Sequence, residues 1–214
     1  MRGRDKLWTP LVGRITLART IDVFEASPLI QDIILVVNAT HHADALALCK
    51  HEHWQKVAAV VVGGIRRQDS VRMGLETLAK LDSLCQWVMI HDGARPLVTT
   101  TIIEDGLRAV REHQAVIAAV PVKDTIKHVD KGQIDATLER SLLWMVQTPQ
   151  VFAFPLIYQA HHHPLAQEDV SDEAALLERL GEHVSVFASS YSNIKITTQE
   201  DLLLAEALIQ GYGV

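Results

Sequence analysis

The chain has 214 residues, enough for one domain with a substantial core, and its 48% hydrophobic and 21% charged residues are the balance of a soluble globular protein. A net charge of −6 argues against a sequence-independent nucleic-acid binder, which needs a basic face, but leaves room for a phosphate-bearing ligand in one cationic cleft. The longest apolar runs fall well short of the ~18–20 residues of a membrane span, and no export signal opens the sequence, so the expected setting is the cytoplasm.

Residues 1–13, MRGRDKLWTPLVG, read as a basic, irregular lead-in. Its glycines with Arg2, Arg4 and Lys6 can cradle an anion; a frayed, solvated terminus is the plainer alternative. Residues 16–26 place Leu17, Thr20, Ile21 and Phe24 on one helical face, and Ser27-Pro28 ends that helix. IILVV at 33–37 is a continuous apolar run, as expected of a strand covered on both faces. A helix over 42–50, a second buried strand over 57–62 and the pair Gly63-Gly64 follow, then a helix over about 69–81. A strand at 87–90, a helix at 101–113 and an apolar strand at 116–122 continue the alternation. Strand and helix alternating at this spacing predict a doubly wound α/β domain with a mostly parallel sheet and right-handed crossovers, and 1–214 reads as one domain. Cys49 and Cys85 have no metal-like spacing and read as reduced, buried thiols.

The rhythm breaks at residues 123–147, a polar stretch with Asp130-Lys131-Gly132 as a hairpin turn and alternating flanks in Ile126, His128, Ile134, Ala136 and Leu138. It predicts a projecting β-arm. Two-stranded ribbons are marginal in water, so such an arm packs on a partner chain. Beyond Thr148-Pro149-Gln150 the pattern predicts helices at 155–161 and 171–180, a strand at 184–187, a short strand NIKIT at 193–197, and a closing helix capped by Thr198. Ser171-Asp172-Glu173 supplies a cap and early acids to the second of these helices. The clustered histidines, His161-His162-His163 and His41-His42 among them, point in different directions on their helices and complete no ligand set.

Chemistry concentrates in QWVMIHDGARP, residues 86–96, where charge arrives abruptly at a strand's carboxyl end. Ligands of open α/β sheets bind there, so Asp92 is placed to meet one and can hold Mg²⁺ against ligand phosphates. An Asp-Gly turn with Arg95 paired to Asp92 is the bland alternative. Gly63-Gly64 lets backbone approach a base or ribose, with Ser70 ready to hydrogen-bond it, although turns use double glycines constantly. Lys195 within NIKIT points into a cleft toward an anion, or into solvent from an edge strand.

Taken in order, VVGGIRRQDSV, HDGARPLV, PVKDTIK, LERSLLWMVQTPQVF, SDEAALLE and NIKITTQEDLLLAEALI closely resemble the methylerythritol phosphate cytidylyltransferases of non-mevalonate isoprenoid synthesis, over residues 6–208. The resemblance implies a Rossmann-like nucleotidyltransferase that joins CTP and methylerythritol 4-phosphate into the CDP-alcohol and pyrophosphate, with Mg²⁺, as a homodimer through the arm. By matching motif, Lys6 stabilises the transferring phosphate. Gly63, Gly64, Ser70, Asp92 and Gly93 belong to the CTP site, Asp92 also to the metal. Arg95, Thr125, Arg140, Thr148 and Lys195 surround the methylerythritol phosphate, Arg140 reaching into the partner's site and Lys195 positioning the attacking phosphate. Gly93 stands where the family's HDAAR loop carries alanine. The family also begins with a strand and a Gly-rich loop; the expectation is that this chain enters within that loop, without the first strand, and that the functional protein begins upstream. Ribitol phosphate cytidylyltransferases, whose loop more often reads HDAVRPF, are the nearest alternative. A catalytically silent nucleotide-binding relative is another.

Overall fold

The protein is described here by a computed structural model over residues 6–81 and 85–212. The suggested anion cradle at Arg2 and Arg4 lies outside the described residues. A 3-10 turn at Lys6–Trp8 leads into a small hairpin of β1 (Pro10–Leu11) and β2 (Arg14–Ile15). There follow α1 (Thr16–Ala26), β3 (Ile33–Val37), α2 (His42–Glu52), β4 (Val57–Val62), α3 (Arg67–Lys80), β5 (Trp87–Ile90), α4 (Thr100–His113) and β6 (Ala115–Pro121). A hairpin, β7 (Lys127–Asp130) and β8 (Gln133–Thr137), interrupts the series. The rest is β9 (Trp144–Ala153), α5 (Phe154–His162), α6 (Glu173–Arg179), β10 (Ser185–Ala188) and α7 (Gln199–Tyr212).

The class is α/β, with both faces of the main sheet covered. Along β6, Ala115 and Ile117 point to a cluster with Leu75 of α3, Ile157 of α5 and Leu176 of α6. Val116 and Ala118 point the other way, to Ile103 and Val110 of α4 and Phe187 of β10. That period of two explains why β6 reads as an uninterrupted apolar run: neither face meets water. Each fully buried Leu, Ile or Phe in these layers contributes roughly 1.5–3 kcal/mol of transfer free energy.

Three expectations are corrected. The sheet is mixed rather than mostly parallel. Its order is β10-β6-β9-β5; β10 runs parallel to β6, while β9 runs antiparallel to both its neighbours. Pro149 disguised β9, because proline cannot donate to a ladder; it is accommodated at the register shift opposite Ile117–Ala119. NIKIT is irregular rather than a strand, joined to the 92–95 loop by Ile196 N donating to Ala94 O at 2.8 Å. The sheet is also in two pieces, since β3 and β4 form a parallel pair of their own. Between β3 and β5 runs a largely apolar cavity of about 820 Å³, lined by residues of both strands and by Leu17 and Phe24 of α1.

The β7–β8 hairpin is exposed at every position. Lys131 and Gly132 both have positive φ, 48° and 81°, the mirror-image turn that suits strand twist and favours glycine second. Cys49 and Cys85 carry free thiols, half-buried rather than buried. No described helix is long and apolar enough to cross a membrane.

Candidate active site

The site forms where β5 ends. Asp92 leaves the strand with its side chain 16% exposed, and Lys195 Nζ lies 2.7 Å from its Oδ2. Arg67, the first residue of α3, brings Nε to 3.4 Å from Oδ1. Burial opposes ionisation of Asp92, but Lys195, Arg67 and His91 outweigh it and hold the carboxyl below its ordinary range. A carboxylate flanked by two cations at a strand's carboxyl end is therefore ionised and ready to organise phosphates or a cation.

Three connections aim this group. The Asp92 backbone N–H donates to Thr148 Oγ1 at 3.0 Å. Arg95 turns inward and donates from one guanidinium nitrogen to Asn193 O at 2.7 Å, so it braces the segment that carries Lys195. Asn193 Nδ2 in turn donates to Thr148 O at 2.9 Å and to Gln147 Oε1 at 3.0 Å. The register shift in β9 is what turns Gln147 and Thr148 toward this network. Arg95 is thus a buried brace, and Asp92 takes Arg67 and Lys195 as its ion-pair partners.

Gly63 and Gly64 close the approach of β4 to α3. A Cβ on Gly63 would sit 2.6 Å from Ser70 Oγ, and one on Gly64 would sit 2.4 Å from Asp69 Cβ. Both glycines are needed by the chain's own packing before any ligand arrives. Arg66 stays in that turn, pairing with Asp69 at 2.7 Å and holding its carboxyl down at about 2. Ser70, Arg67, Asp92 and Gly93 line the polar end of the cavity. Leu7, next to Lys6, lines it too and packs near Gly93, which sets the Lys6 turn beside the 92–95 loop.

Thr125 and Arg140 stand apart from this cluster, exposed at the base of the hairpin. Arg140 donates to Lys123 O at 3.0 Å, and Lys123 Nζ sits 3.5 Å over the Tyr191 ring. Among the described residues no group of three or more His, Cys, Asp or Glu converges as a metal site. Asp92 is a lone carboxylate, a donor set that suits Mg²⁺ when phosphates complete the shell.

Sequence reasoning passed over Arg67 and Glu173. Glu173 was read as an early acid facing the helix dipole. In fact Asp172 is the cap, accepting from Ala175 N at 2.9 Å, while Glu173 turns inward with no exposed side-chain surface and meets Arg67 at 2.7 Å. Burial pushes the Glu173 carboxyl upward against the pull of Arg67. The doubled arginine of GGIRRQDS was the available signal, since two adjacent arginines at a helix start cannot both point into solvent along one face.

Residues 1–211 match the sequence pattern of the 2-C-methyl-D-erythritol 4-phosphate cytidylyltransferases. The chain is 44% identical over 211 residues to the protein of that name from Dehalococcoides mccartyi, covering 98% of this chain and 90% of that one. It is 43% identical over 215 residues to the one from Syntrophotalea carbinolica, with 98% and 90% covered. In fold it is similar to the 4-diphosphocytidyl-2C-methyl-D-erythritol synthase of Anaerococcus prevotii, at TM-score 0.85 and 34% identity over 95% of this chain and 93% of that one. The 2-C-methyl-D-erythritol 4-phosphate cytidylyltransferase of Thermus thermophilus gives 0.80 and 27% over 96% and 94%. Sequence and fold agree along nearly the whole length: the chain belongs to the 2-C-methyl-D-erythritol 4-phosphate cytidylyltransferase family.

Proposed function

We propose that the chain transfers a cytidylyl group from CTP to 2-C-methyl-D-erythritol 4-phosphate, releasing pyrophosphate and forming the CDP-alcohol of isoprenoid precursor synthesis. The observation that carries this reading is the Lys195–Asp92–Arg67 cluster at the carboxyl end of β5, in a chain of this family. In the reaction an oxygen of the substrate phosphate attacks the α-phosphorus of CTP, and the bond from that phosphorus to the pyrophosphate oxygen breaks. A phosphate monoester has its second pKa near 6 and is already mostly dianionic at neutral pH, so no general base is required. Two crowded anions must instead be neutralised and aligned, and cations do this.

The residues divide accordingly. Lys195, 40% exposed, receives the attacking phosphate, and Lys6 stabilises the transferring phosphoryl group. Gly63, Gly64, Ser70 and Gly93 form the cytidine-reading wall. Arg95 and Thr148 hold the 92–95 loop and the Lys195 segment in position for the substrate. Asp92 would hold Mg²⁺, which when bound supplies further charge neutralisation at the phosphates. Thr125 and Arg140 act from the arm, Arg140 in the site of a second copy.

The dimer reading is supported by what the arm exposes. On the hairpin Val129 is 53% exposed and Ile134 66%, and beyond it in the arm Leu142 is 77% and Trp144 43% exposed, an apolar display that a two-stranded ribbon scarcely stabilises by itself. We assign the slot between β3 and β5 to the first strand of the family's sheet, because it is apolar and bordered by two strand edges that pair with no further strand among the described residues. The setting proposed is the cytoplasm.

The test is pyrophosphate release with CTP and a panel of alcohol phosphates. Methylerythritol phosphate should be the preferred acceptor. Preference for ribitol phosphate would overturn the substrate assignment, and no release with any acceptor would leave the silent relative standing.

A further inference from the structure

The cluster at Asp92 is one end of a longer row. Lys195, Asp92, Arg67 and Glu173 alternate in charge and come from four separate segments: the irregular stretch before α7, the end of β5, the start of α3 and the start of α6. Lys195 Nζ meets Asp92 Oδ2 at 2.7 Å, Arg67 Nε meets Asp92 Oδ1 at 3.4 Å, and one Arg67 terminal nitrogen meets both Glu173 oxygens at 2.8 and 2.7 Å.

The two cations are open to solvent and the two acids are not. Lys195 is 40% exposed and Arg67 36%, against 16% for Asp92 and none for Glu173. An incoming phosphate can draw Lys195 away from Asp92, but no ligand can reach Glu173. The end that exchanges partners and the end that stays fixed are therefore different residues. Arg67 alone would be a poor anchor for Asp92. Its Nε contact is long, and a long flexible cation facing a polyphosphate would swing toward it. The grip of Glu173 on the other side of the guanidinium prevents that.

Stability by itself does not account for this arrangement, because apolar residues often replace a buried ion pair at no cost. We propose that Glu173 is a positioning residue for the transfer reaction, anchoring Arg67 so that Asp92 keeps its direction when Lys195 turns to the substrate. The inference rests on the roles assigned above to Asp92 and Lys195.

A carboxylate in the first turn of α6 could also serve the fold alone, so the experiment must separate the two roles. Turnover and thermal midpoint are compared for Glu173→Gln, Arg67→Gln and the double variant, with Asp92→Asn as control. Each single variant should lose about a hundredfold in kcat, the scale of a slightly misplaced reacting group. The double variant leaves no buried unpaired charge. Its midpoint should return close to that of the unmodified protein, while its kcat stays at the level of Arg67→Gln alone. A double variant that recovers its midpoint and also turns over within about threefold of the unmodified protein would mean that the pair serves only the fold. Costs in kcat that multiply in the double variant would mean that Glu173 does not act through Arg67. If Asp92→Asn keeps full turnover, the underlying site reading fails first. If Asp92→Asn is inactive and the double variant is not, only the role of Glu173 fails.

Discussion

Asp92 and Thr148 are joined by one hydrogen bond, the Asp92 backbone N–H donating to Thr148 Oγ1 at 3.0 Å, and this bond ties the end of β5 to the irregular part of β9. The same hydroxyl lies 3.1 Å from His91 Nδ1, and His91 Nε2 lies 3.2 Å from Arg95 O. A carbonyl can only accept, so Nε2 carries the proton and Nδ1 accepts from Thr148. Burial pushes His91 down to about 4, which keeps this neutral tautomer near pH 7.

The relay predicts the effect of Thr148→Val, which preserves shape and removes the hydroxyl. The Asp92 N–H and His91 Nδ1 both lose their partner, at a cost of about 1–3 kcal/mol in unfolding free energy. Denaturant titration checks the stability, and pyrophosphate release should fall with it. Thr148→Ser should restore both. A Val variant as stable as the unmodified protein would show that the relay carries no weight.

The site proposed to be built from two chains is open to complementation. Arg140→Ala and Lys195→Ala chains, each inactive alone, should regain activity when mixed and allowed to exchange. Under random pairing half the dimers are mixed and each carries one intact site of two, so recovery can reach about a quarter of wild type. Verified heterodimers that show no recovery would assign Arg140 to its own chain's site or to none.

His161 predicts a pH dependence. It is 4% exposed, neither ring nitrogen has a hydrogen-bond partner among the described residues, and burial first, then His162, Arg72 and Arg67 nearby, moves it from 6.5 to about 4. Between those values the unfolded chain takes up a proton that the native state refuses. Its contribution to stability is therefore complete above about pH 6.5 and declines as pH falls toward 4. His161→Leu removes two unsatisfied nitrogens from an apolar layer, so it should raise the thermal midpoint, and by more at pH 5 than at pH 8. A constant difference across that range would remove His161 from the acid response.

The slot between β3 and β5 makes a prediction of its own. A chain extended by an apolar strand and a Gly-rich loop ahead of Lys6 should melt at a higher temperature and turn over CTP faster, because the strand satisfies both facing edges. Amide exchange in β3 and β5 should slow at the same time. Equal melting, exchange and turnover in the two forms would disprove the assignment.

The sequence by itself determined the α/β class, the apolar strands at Ile33–Val37, Val57–Val62 and Trp87–Ile90, and the family. It also singled out Asp92, because charge stands out sharply after a continuous apolar run, and Lys195, because one lysine amid apolar alternation is out of place in a core; the structure brings the two together. The tertiary structure alone decided the rest. Local pattern reports burial, not partners: Pro149 hid β9 because only a register shift against β6 makes room for it. NIKIT looked like a strand because Ile194 and Ile196 alternate with polar neighbours, yet the backbone of Asn193 and Ile196 bonds to the 92–95 loop, and among the described residues the stretch joins no ladder. Glu173 reads as a helix-start acid in any sequence. Its meeting with Arg67, 106 residues away, depends on α3 and α6 contributing to one core cluster on the same face of the sheet, a long-range arrangement that no local periodicity encodes.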